Sequence, residues 1–280
     1  MTTPSLRSRF QRRAKFGLTC LLASISGSAA VAQAAPRTIA AVFAHGDDEG
    51  SVAPILARYA RQGDQVYLLI ATDGSQGGSR TTIPRGPELA RARAEEARCA
   101  AAALGIKPPI LLEFPDSKLG DYGSDPSLLY RLTQRIQEEL QRLKPDVLIT
   151  WGPDGGMGHP DHRLVGNVVT QLVRAGAPGV PDRLFYAYLG VEGFRVLNPQ
   201  RGAPPFMIPQ QKYFTARISF NEQDLNAGRA SLACHKTQYP QDVQERLFPV
   251  MVNGWKGVIS LVPDFATSGA ITDLFPGRPR

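Results

Sequence analysis

The chain has 280 residues, of which 42% are hydrophobic and 20% are charged. This composition is typical of a globular protein with a full core, and it excludes a disordered chain. The formal charge is +7, but five basic residues and no acidic ones precede residue 16, so the rest of the chain carries only +2. We therefore predict no nucleic-acid partner, because the basic character is confined to the first residues.

The first 34 residues have the pattern of a secretory signal peptide. A basic segment leads into an apolar run from Phe16 to Val31, which closes with Ala32-Gln33-Ala34. Polar and small residues between Ser24 and Ser28 interrupt this run, so that it is shorter than the roughly 20 residues a membrane span needs. We predict cleavage near Ala34, export to the periplasm or the medium, and no membrane span afterwards.

Two cysteines, Cys99 and Cys234, remain after this cleavage. They are the only pair that could form a disulfide in an oxidising compartment. Cys99 lies in a helical pattern and could equally be a small buried hydrophobic residue. The sequence does not decide between a bridge and two free thiols.

Apolar and amphipathic segments alternate from Thr38 onward, which is typical of a parallel sheet covered by helices. The predicted strands are residues 39–44, 65–72, 110–114, 146–151, 183–189 and 213–220. The predicted helices are residues 51–61, 88–104, 128–143, 161–175 and 221–236. The pattern predicts an α/β fold with a Rossmann-like, mostly parallel sheet and helices on both faces. A single domain over residues 35–280 with a C-terminal decoration fits best.

Three of the four histidines lie in two short runs that also carry carboxylates. The first histidine run, His45-Gly46-Asp47-Asp48-Glu49, follows the first predicted strand, and the second, His159-Pro160-Asp161-His162, follows the fourth. Helix capping would account for one of the carboxylates after His45, but not for two. Ligands bind at the carboxyl ends of strands in open α/β sheets, so both runs can converge on one ion. Nitrogen and oxygen ligands without thiolate suit a catalytic zinc ion with an open coordination position, and they also accept other divalent metals.

The two histidine runs resemble the paired motifs of the PIG-L/LmbE-like deacetylases. This family includes the GlcNAc-phosphatidylinositol de-N-acetylase and the deacetylases of the mycothiol and bacillithiol pathways. Weaker similarities extend the resemblance over most of the mature chain: Thr72-Asp73-Gly74, the helix with Arg93 and Glu96, Asp116, and His235-Lys236-Thr237-Gln238. The resemblance implies a zinc-dependent N-deacetylase with a small-molecule or glycan substrate.

The resemblance also implies a role for each site residue. His45, Asp48 and His162 would bind the metal, and Asp47 would be the general base that deprotonates water. His159 would stabilise the oxyanion and protonate the leaving amine, with Asp161 orienting it. Arg93 and Asp116 would hold the substrate sugar. His235 we place outside the metal site, since a helix histidine beside a cysteine is usually structural.

Two positions depart from the family pattern. Gly46 stands where the family usually has proline, which predicts a looser turn with the ligand spacing kept. Met157 stands where the thiol-pathway branch has a tyrosine near the oxyanion, and a thioether cannot donate that hydrogen bond. This second departure predicts a substrate different from theirs.

Alternatives to a sugar deacetylase remain open at this point. The same site could hydrolyse another amide, for example that of an acylated metabolite or an antibiotic. The chain could also be a carbohydrate-binding relative without turnover. The glycine-rich segment of residues 74–78 could bind a nucleotide, but it lacks the Gly-Lys-Ser/Thr ending of a P-loop.

Overall fold

The computed structural model describes residues 36–77, 80–198, 200, 207–265, 267 and 269–277. Residues 36–280 form one compact unit. The predicted signal peptide, residues 1–34, lies outside the described residues, and its cleavage stays a prediction. Within the described ranges, no helix has the length and apolar character needed to cross a membrane.

Seven strands form the sheet, in the order β3-β2-β1-β4-β5-β7-β6. Their bounds are β1 Thr38–Phe43, β2 Gln65–Thr72, β3 Ile110–Phe114, β4 Val147–Trp151, β5 Leu184–Ala187, β6 Ala216–Ser219 and β7 Val258–Pro263. The first five strands pair in parallel, whereas β7 pairs antiparallel with both β5 and β6. The predicted Rossmann-like, mostly parallel sheet is therefore confirmed.

Eight α-helices accompany the sheet in the part of the chain that the structure describes. Their bounds are α1 Ala53–Arg61, α2 Pro87–Leu104, α3 Pro126–Leu143, α4 Gly155–Gly158, α5 Pro160–Arg174, α6 Val191–Leu197, α7 Glu222–Cys234 and α8 Gln241–Trp255. One core packs α1 and α2 against the sheet, and a second core packs α3 and α5 against the opposite face. Strand β1 contributes to both, because alternate side chains point to opposite faces of a strand: Ile39 to the first core and Ala40 to the second. Helices thus cover both faces, as predicted.

The C-terminal third differs most from the prediction. Helices α6 and α8 and strand β7 were not predicted, and β6 is shorter than the predicted strand of residues 213–220. Pro249 and Gly254 lie within α8, and both residue types weaken a helical pattern. The predicted decoration is thus partly an extension of the main sheet, because β7 and β6 continue it beyond β5.

The strand order explains where the site forms. Strands β1 and β4 are neighbours and run in parallel, so the segments after their carboxyl ends leave the sheet side by side. The first histidine run follows β1 directly. The second follows β4 through the short irregular helix α4, and it begins α5.

Candidate active site

The first histidine run is held in place by a carboxylate that bonds to the backbone. The Oδ2 atom of Asp48 accepts hydrogen bonds from the amides of Ala44 (3.0 Å) and His45 (2.9 Å). This folds the chain back at the end of β1 and leaves Oδ1 of Asp48 free to face the second run. His45 and Asp48 are both buried. Gly46 does not adopt a positive φ, so this turn does not depend on the freedom of glycine.

The ring of His162 is held by stacking and by one hydrogen bond. It stacks on Trp151 with ring centroids 5.1 Å apart and an angle of 4° between the planes. Its Nδ1 lies 2.9 Å from the carbonyl oxygen of Gly155. A carbonyl only accepts, so Nδ1 carries the proton, and in the neutral ring Nε2 keeps its lone pair. Gly155 itself has a φ of +72°, which lets the chain turn its carbonyl toward this ring.

The three predicted metal ligands lie together. Nε2 of His162 is 2.9 Å from Nδ1 of His45 and 3.1 Å from Oδ1 of Asp48. Oδ2 of Asp48 lies 3.9 Å from Nδ1 of His45. Ligand atoms about 2.0 to 2.1 Å from a tetrahedral zinc ion are about 3.3 Å from one another. The donor set therefore matches a zinc ion in both chemistry and spacing.

The other nitrogen of His45 faces two buried carboxylates. Its Nε2 lies 3.2 Å from Oδ1 of Asp116 and 3.4 Å from Oδ2 of Asp161. Burial lowers the pKa of His45, but the hydrogen bonds to Asp116 and Asp161 outweigh burial and raise the pKa to about 10. These carboxylates accept the hydrogen bond of the protonated Nε2, as in the carboxylate-histidine pairs beside bound metals. In the neutral ring, the lone pair of Nδ1 then faces His162. Two imidazole lone pairs at 2.9 Å require a cation between them, either a proton or a metal ion.

His45 also belongs to two wider groups of potential ligands, one with His159 and His162 and one with Asp116 and Asp161. The carboxylates of the second group already accept backbone hydrogen bonds, Asp116 from Gln76 and Asp161 from two further amides. They are better placed to orient His45 than to bind an ion themselves. We therefore keep Asp48 as the third ligand.

The predicted partnership between Asp161 and His159 is wrong. The Asp161 carboxylate accepts from the amides of Ser117 (2.8 Å) and Leu119 (3.1 Å), and it faces His45. His159 instead caps α5, where its Nδ1 accepts from the backbone amide of Asp161 at 3.2 Å. The ring nitrogen that Asp161 was expected to bind is thus occupied by the backbone of Asp161 itself.

Asp116 and Arg93 also have protein partners. Oδ2 of Asp116 accepts from the amide of Gln76 at 2.8 Å and its Oδ1 faces His45, while the predicted contact with a sugar stays a prediction. The charge and hydrogen bond of His45 oppose burial and lower the pKa of Asp116 below its ordinary value. Arg93 is only 3% exposed, with Nη2 3.6 Å from Oδ1 of Asp47. A side chain at Gly77 would collide with its guanidinium.

An open, polar pocket of about 340 Å³ joins the predicted residues. Every predicted site residue except Asp161 lines it, and so do Arg80 and Arg85. Burial lowers the pKa of His159 to about 4, with the charges of His45 and His162 acting in the same direction. His159 is therefore neutral at pH 7. The pocket offers a metal-ligand cluster, a carboxylate at Asp47 and a neutral imidazole to one substrate.

The segment after α7 makes contacts that the sequence analysis did not predict, and it contains one residue, Tyr239, that the sequence analysis did not name. His235 bonds to Glu49 (Nε2 to Oε1, 2.6 Å), with both side chains buried, and Gln238 accepts from the guanidinium of Arg93. The hydroxyl of Tyr239 bonds to Asp47, and burial together with this charge raises the pKa of Tyr239 well above its ordinary value. The similarity of residues 235–238 to a family motif was the available signal.

Glu96 of α2 bonds to the segment after α7. Its carboxylate accepts from the amide (2.8 Å) and the hydroxyl (2.7 Å) of Thr237 in that segment. A disulfide between Cys99 and Cys234 also connects α2 to the C-terminal end of α7. The structure thus favours the bridge over two free thiols, a choice that the sequence left open.

Residues 40–173 match the PIG-L family, described as GlcNAc-PI de-N-acetylase. The chain is also similar to a 1D-myo-inositol 2-acetamido-2-deoxy-alpha-D-glucopyranoside deacetylase from Corynebacterium urealyticum. The two are 28% identical over 240 residues, which cover 73% of this chain and 72% of the relative. The family resemblance of the two histidine runs is thereby confirmed.

Solved structures confirm the fold. The N,N'-diacetylchitobiose deacetylase of Pyrococcus horikoshii superposes with a TM-score of 0.56 at 18% identity, covering 81% of this chain and 83% of that chain. The 4-carboxy-2-hydroxymuconate hydratase of Pseudomonas putida superposes with a TM-score of 0.58 at 16% identity, covering 85% of this chain and all of the other. Since this fold is shared with a hydratase, the reaction has to be argued from the site.

Proposed function

Because residues 40–173 of this chain match the PIG-L family, we propose that the protein is an exported, zinc-dependent deacetylase of an amino sugar or glycoconjugate. The prediction of an amide-hydrolysing enzyme is confirmed, since the relatives are named deacetylases. The zinc ion, the identity of the substrate and export are the parts that we propose. One observation carries the metal-dependent mechanism: two imidazole nitrogens meet at 2.9 Å beside a buried carboxylate.

Three side chains, His45, Asp48 and His162, would hold the metal. A zinc ion there would supply a Lewis acid for the amide carbonyl and would lower the pKa of water toward about 7. Two of the ligands are oriented by hydrogen bonds from behind, His162 by Gly155 and His45 by Asp116 and Asp161. Such contacts keep the ligands in the correct tautomer and orientation before the metal binds.

Asp47 is the proposed general base. It precedes the ligand Asp48 and lines the polar pocket, and its side chain makes no capping bond to the following helix. Arg93 and the hydroxyl of Tyr239 approach its carboxylate and hold it in place. Asp47 would take a proton from the attacking water and then pass it to the nitrogen of the leaving amine.

His159 is the proposed donor to the carbonyl oxygen. Its Nδ1 accepts the amide hydrogen of Asp161, so the neutral ring carries its proton on Nε2. An imidazole in this state can donate a hydrogen bond to the oxygen as negative charge develops there. With a pKa of about 4, His159 holds no second proton at pH 7. Its neutral state favours oxyanion stabilisation over the acid role.

The test is acetate release from a panel of N-acetylated amino sugars and glycoconjugates by the mature protein. We expect release that a chelator abolishes and that zinc restores. The Asp47→Asn variant should still bind zinc, but its kcat should fall by a factor of about 10² to 10⁴. Asp121→Asn, at an exposed carboxylate paired with Lys118, is the matched control and should retain full activity.

The outcomes separate the parts of the proposal. Release that survives complete removal of the metal would contradict the metal-dependent mechanism. Unchanged turnover in Asp47→Asn would remove Asp47 as the base. Activity toward other amides but none of the sugars would exclude an amino-sugar substrate and leave the hydrolase.

A further inference from the structure

A second, apolar cavity lies against the same two aspartates. It measures about 30 Å³ and is lined by Asp47, Asp48 and a set of apolar side chains that includes Leu232, Leu247 and Met251. A water-sized group needs about 10 to 15 Å³ on this measure, so the cavity holds two or three such groups. It is too small and too apolar for a sugar.

The two cavities impose an orientation on the amide. Asp47 and Asp48 line both cavities, and so do Met157, Leu197 and Tyr239. The polar cavity adds arginines and histidines, whereas the apolar cavity adds three leucines and Met251. A scissile amide has a polar amine side, which carries the sugar, and an apolar acyl side. Desolvation therefore favours the sugar in the polar pocket and the acyl carbons in the apolar cavity.

A much larger cavity shares part of its lining with the apolar cavity. It measures about 760 Å³, and Ser51, Leu189 and Met251 line it as well as the apolar cavity. These three side chains border both spaces and so form the partition between them. An acyl chain longer than the small cavity would have to pass through this partition to reach the larger space.

We propose that the partition of Ser51, Leu189 and Met251 selects the acyl group and restricts the enzyme to two- or three-carbon acyl chains. This inference rests on the proposed function, because it assumes that the amide is cleaved beside Asp47 and Asp48. Shortening Met251 joins the two cavities and admits longer chains. Met251 is thus a specificity-determining residue, although it does not touch the reacting atoms.

The test uses binding, so that it does not depend on deacetylase activity. Linear alkyl hydroxamates of two, four and six carbons chelate an active-site metal and place their alkyl group on the acyl side. Their affinities for the zinc-loaded mature protein are measured by calorimetry, and hydrolysis of N-acetyl- and N-hexanoylglucosamine is measured in parallel. The wild type should bind the two-carbon probe at least about tenfold more tightly than the six-carbon probe, in line with the discrimination that a methylene provides in an apolar pocket.

Met251→Ala should reverse or abolish this preference by raising the affinity for the six-carbon probe by about tenfold. Leu189→Ala shortens a second member of the partition and should act in the same direction, which keeps the test valid if one variant fails to fold. Met207→Ala is the control, because Met207 is 87% exposed and lines neither cavity.

Equal binding of short and long probes by the wild type would overturn the partition, and so would folded variants with unchanged preference. Absence of binding by every probe would also overturn it, since the cavity would not open onto the metal. Chain-length selection in binding without hydrolysis of either sugar would support the partition while contradicting the proposed function. The two failures are therefore distinguishable.

Discussion

At His45, the two ring nitrogens face different groups, and this difference determines how the site responds to pH. Nε2 points at two carboxylates, while Nδ1 points at His162 and Asp48. Without metal, the pKa of about 10 means that the ring holds two protons throughout the neutral range. The proton on Nδ1 occupies the position that a metal ion would take.

Zinc binding should therefore release a proton from His45. Since a proton competes with zinc below pH 10, the apparent affinity for zinc should rise by up to about tenfold per pH unit between pH 6.5 and 8.5. Calorimetric titrations in two buffers of different ionisation enthalpy count the released protons. Asp116→Asn removes a carboxylate that raises this pKa, so it should release fewer protons. An affinity for zinc that is independent of pH would contradict the prediction.

The same residues show what the sequence could predict about the site. The side chains of His45, Asp48 and His162 converge as expected, because the ends of two adjacent parallel strands bring their residues together. The partner of Asp161 could not be predicted in this way. It depends on where the loop after β3 places the amides of Ser117 and Leu119, which no local pattern encodes.

At the scale of elements, α2 and the segment after α7 form one support for the site. Glu96 of α2 accepts two hydrogen bonds from Thr237, close to Gln238 and Tyr239, whose side chains contact Arg93 and Asp47. Glu96→Ala leaves the Thr237 amide and hydroxyl without these acceptors, so it should lower stability by about 1 to 3 kcal/mol. Urea unfolding measures this loss.

Glu95→Ala is the matched control for this variant. Glu95 is exposed and, among the described residues, pairs only with Arg98, so its loss should cost less than about 0.5 kcal/mol. Glu96→Ala should also lower kcat in the folded protein, because the segment that holds Asp47 is loosened. Equal stabilities of the two variants would mean that Thr237 does not depend on Glu96.

The disulfide between Cys99 and Cys234 makes a second connection between α2 and α7. It closes a loop with a sequence separation of 135, which corresponds to a stabilisation of about 2 to 5 kcal/mol. Reductant should therefore lower the urea midpoint of the wild type. Cys99→Ser should start from the lower midpoint and show no response to reductant. A wild-type midpoint that ignores reductant would show that the bridge contributes no stability.

Long periodic elements were predictable from the sequence, whereas α8 and β7 were not. The first four βα units carry apolar runs and amphipathic helices in regular alternation, and the structure has each of them. Strand β7 instead depends on tertiary pairing. It lies between β5 and β6 and is antiparallel to both, although its partners are distant in sequence. Propensity does not encode such a choice of partner.

For the whole molecule, export and the disulfide should occur together. Structural disulfides form in oxidising compartments and are rare in the cytosol, so a bridge at Cys99 and Cys234 fits an exported domain. The predicted signal peptide would deliver the chain there and would be removed near Ala34. Both events are visible in the mass of the intact protein, because cleavage removes residues 1–34 and oxidation removes two hydrogen atoms.

We expect the full-length chain, expressed in a bacterial host, to be recovered outside the cytoplasm with Ala35 as its first residue and with no free thiols. Replacing Leu21 and Leu22 by arginine interrupts the apolar run, so this variant should stay in the cytoplasm, uncleaved and with three free cysteines. Mass spectrometry with and without thiol alkylation distinguishes the two forms. A cleaved wild type with free thiols would contradict the prediction that export and disulfide formation occur together. An uncleaved wild type in the cytoplasm would contradict the prediction of a signal peptide.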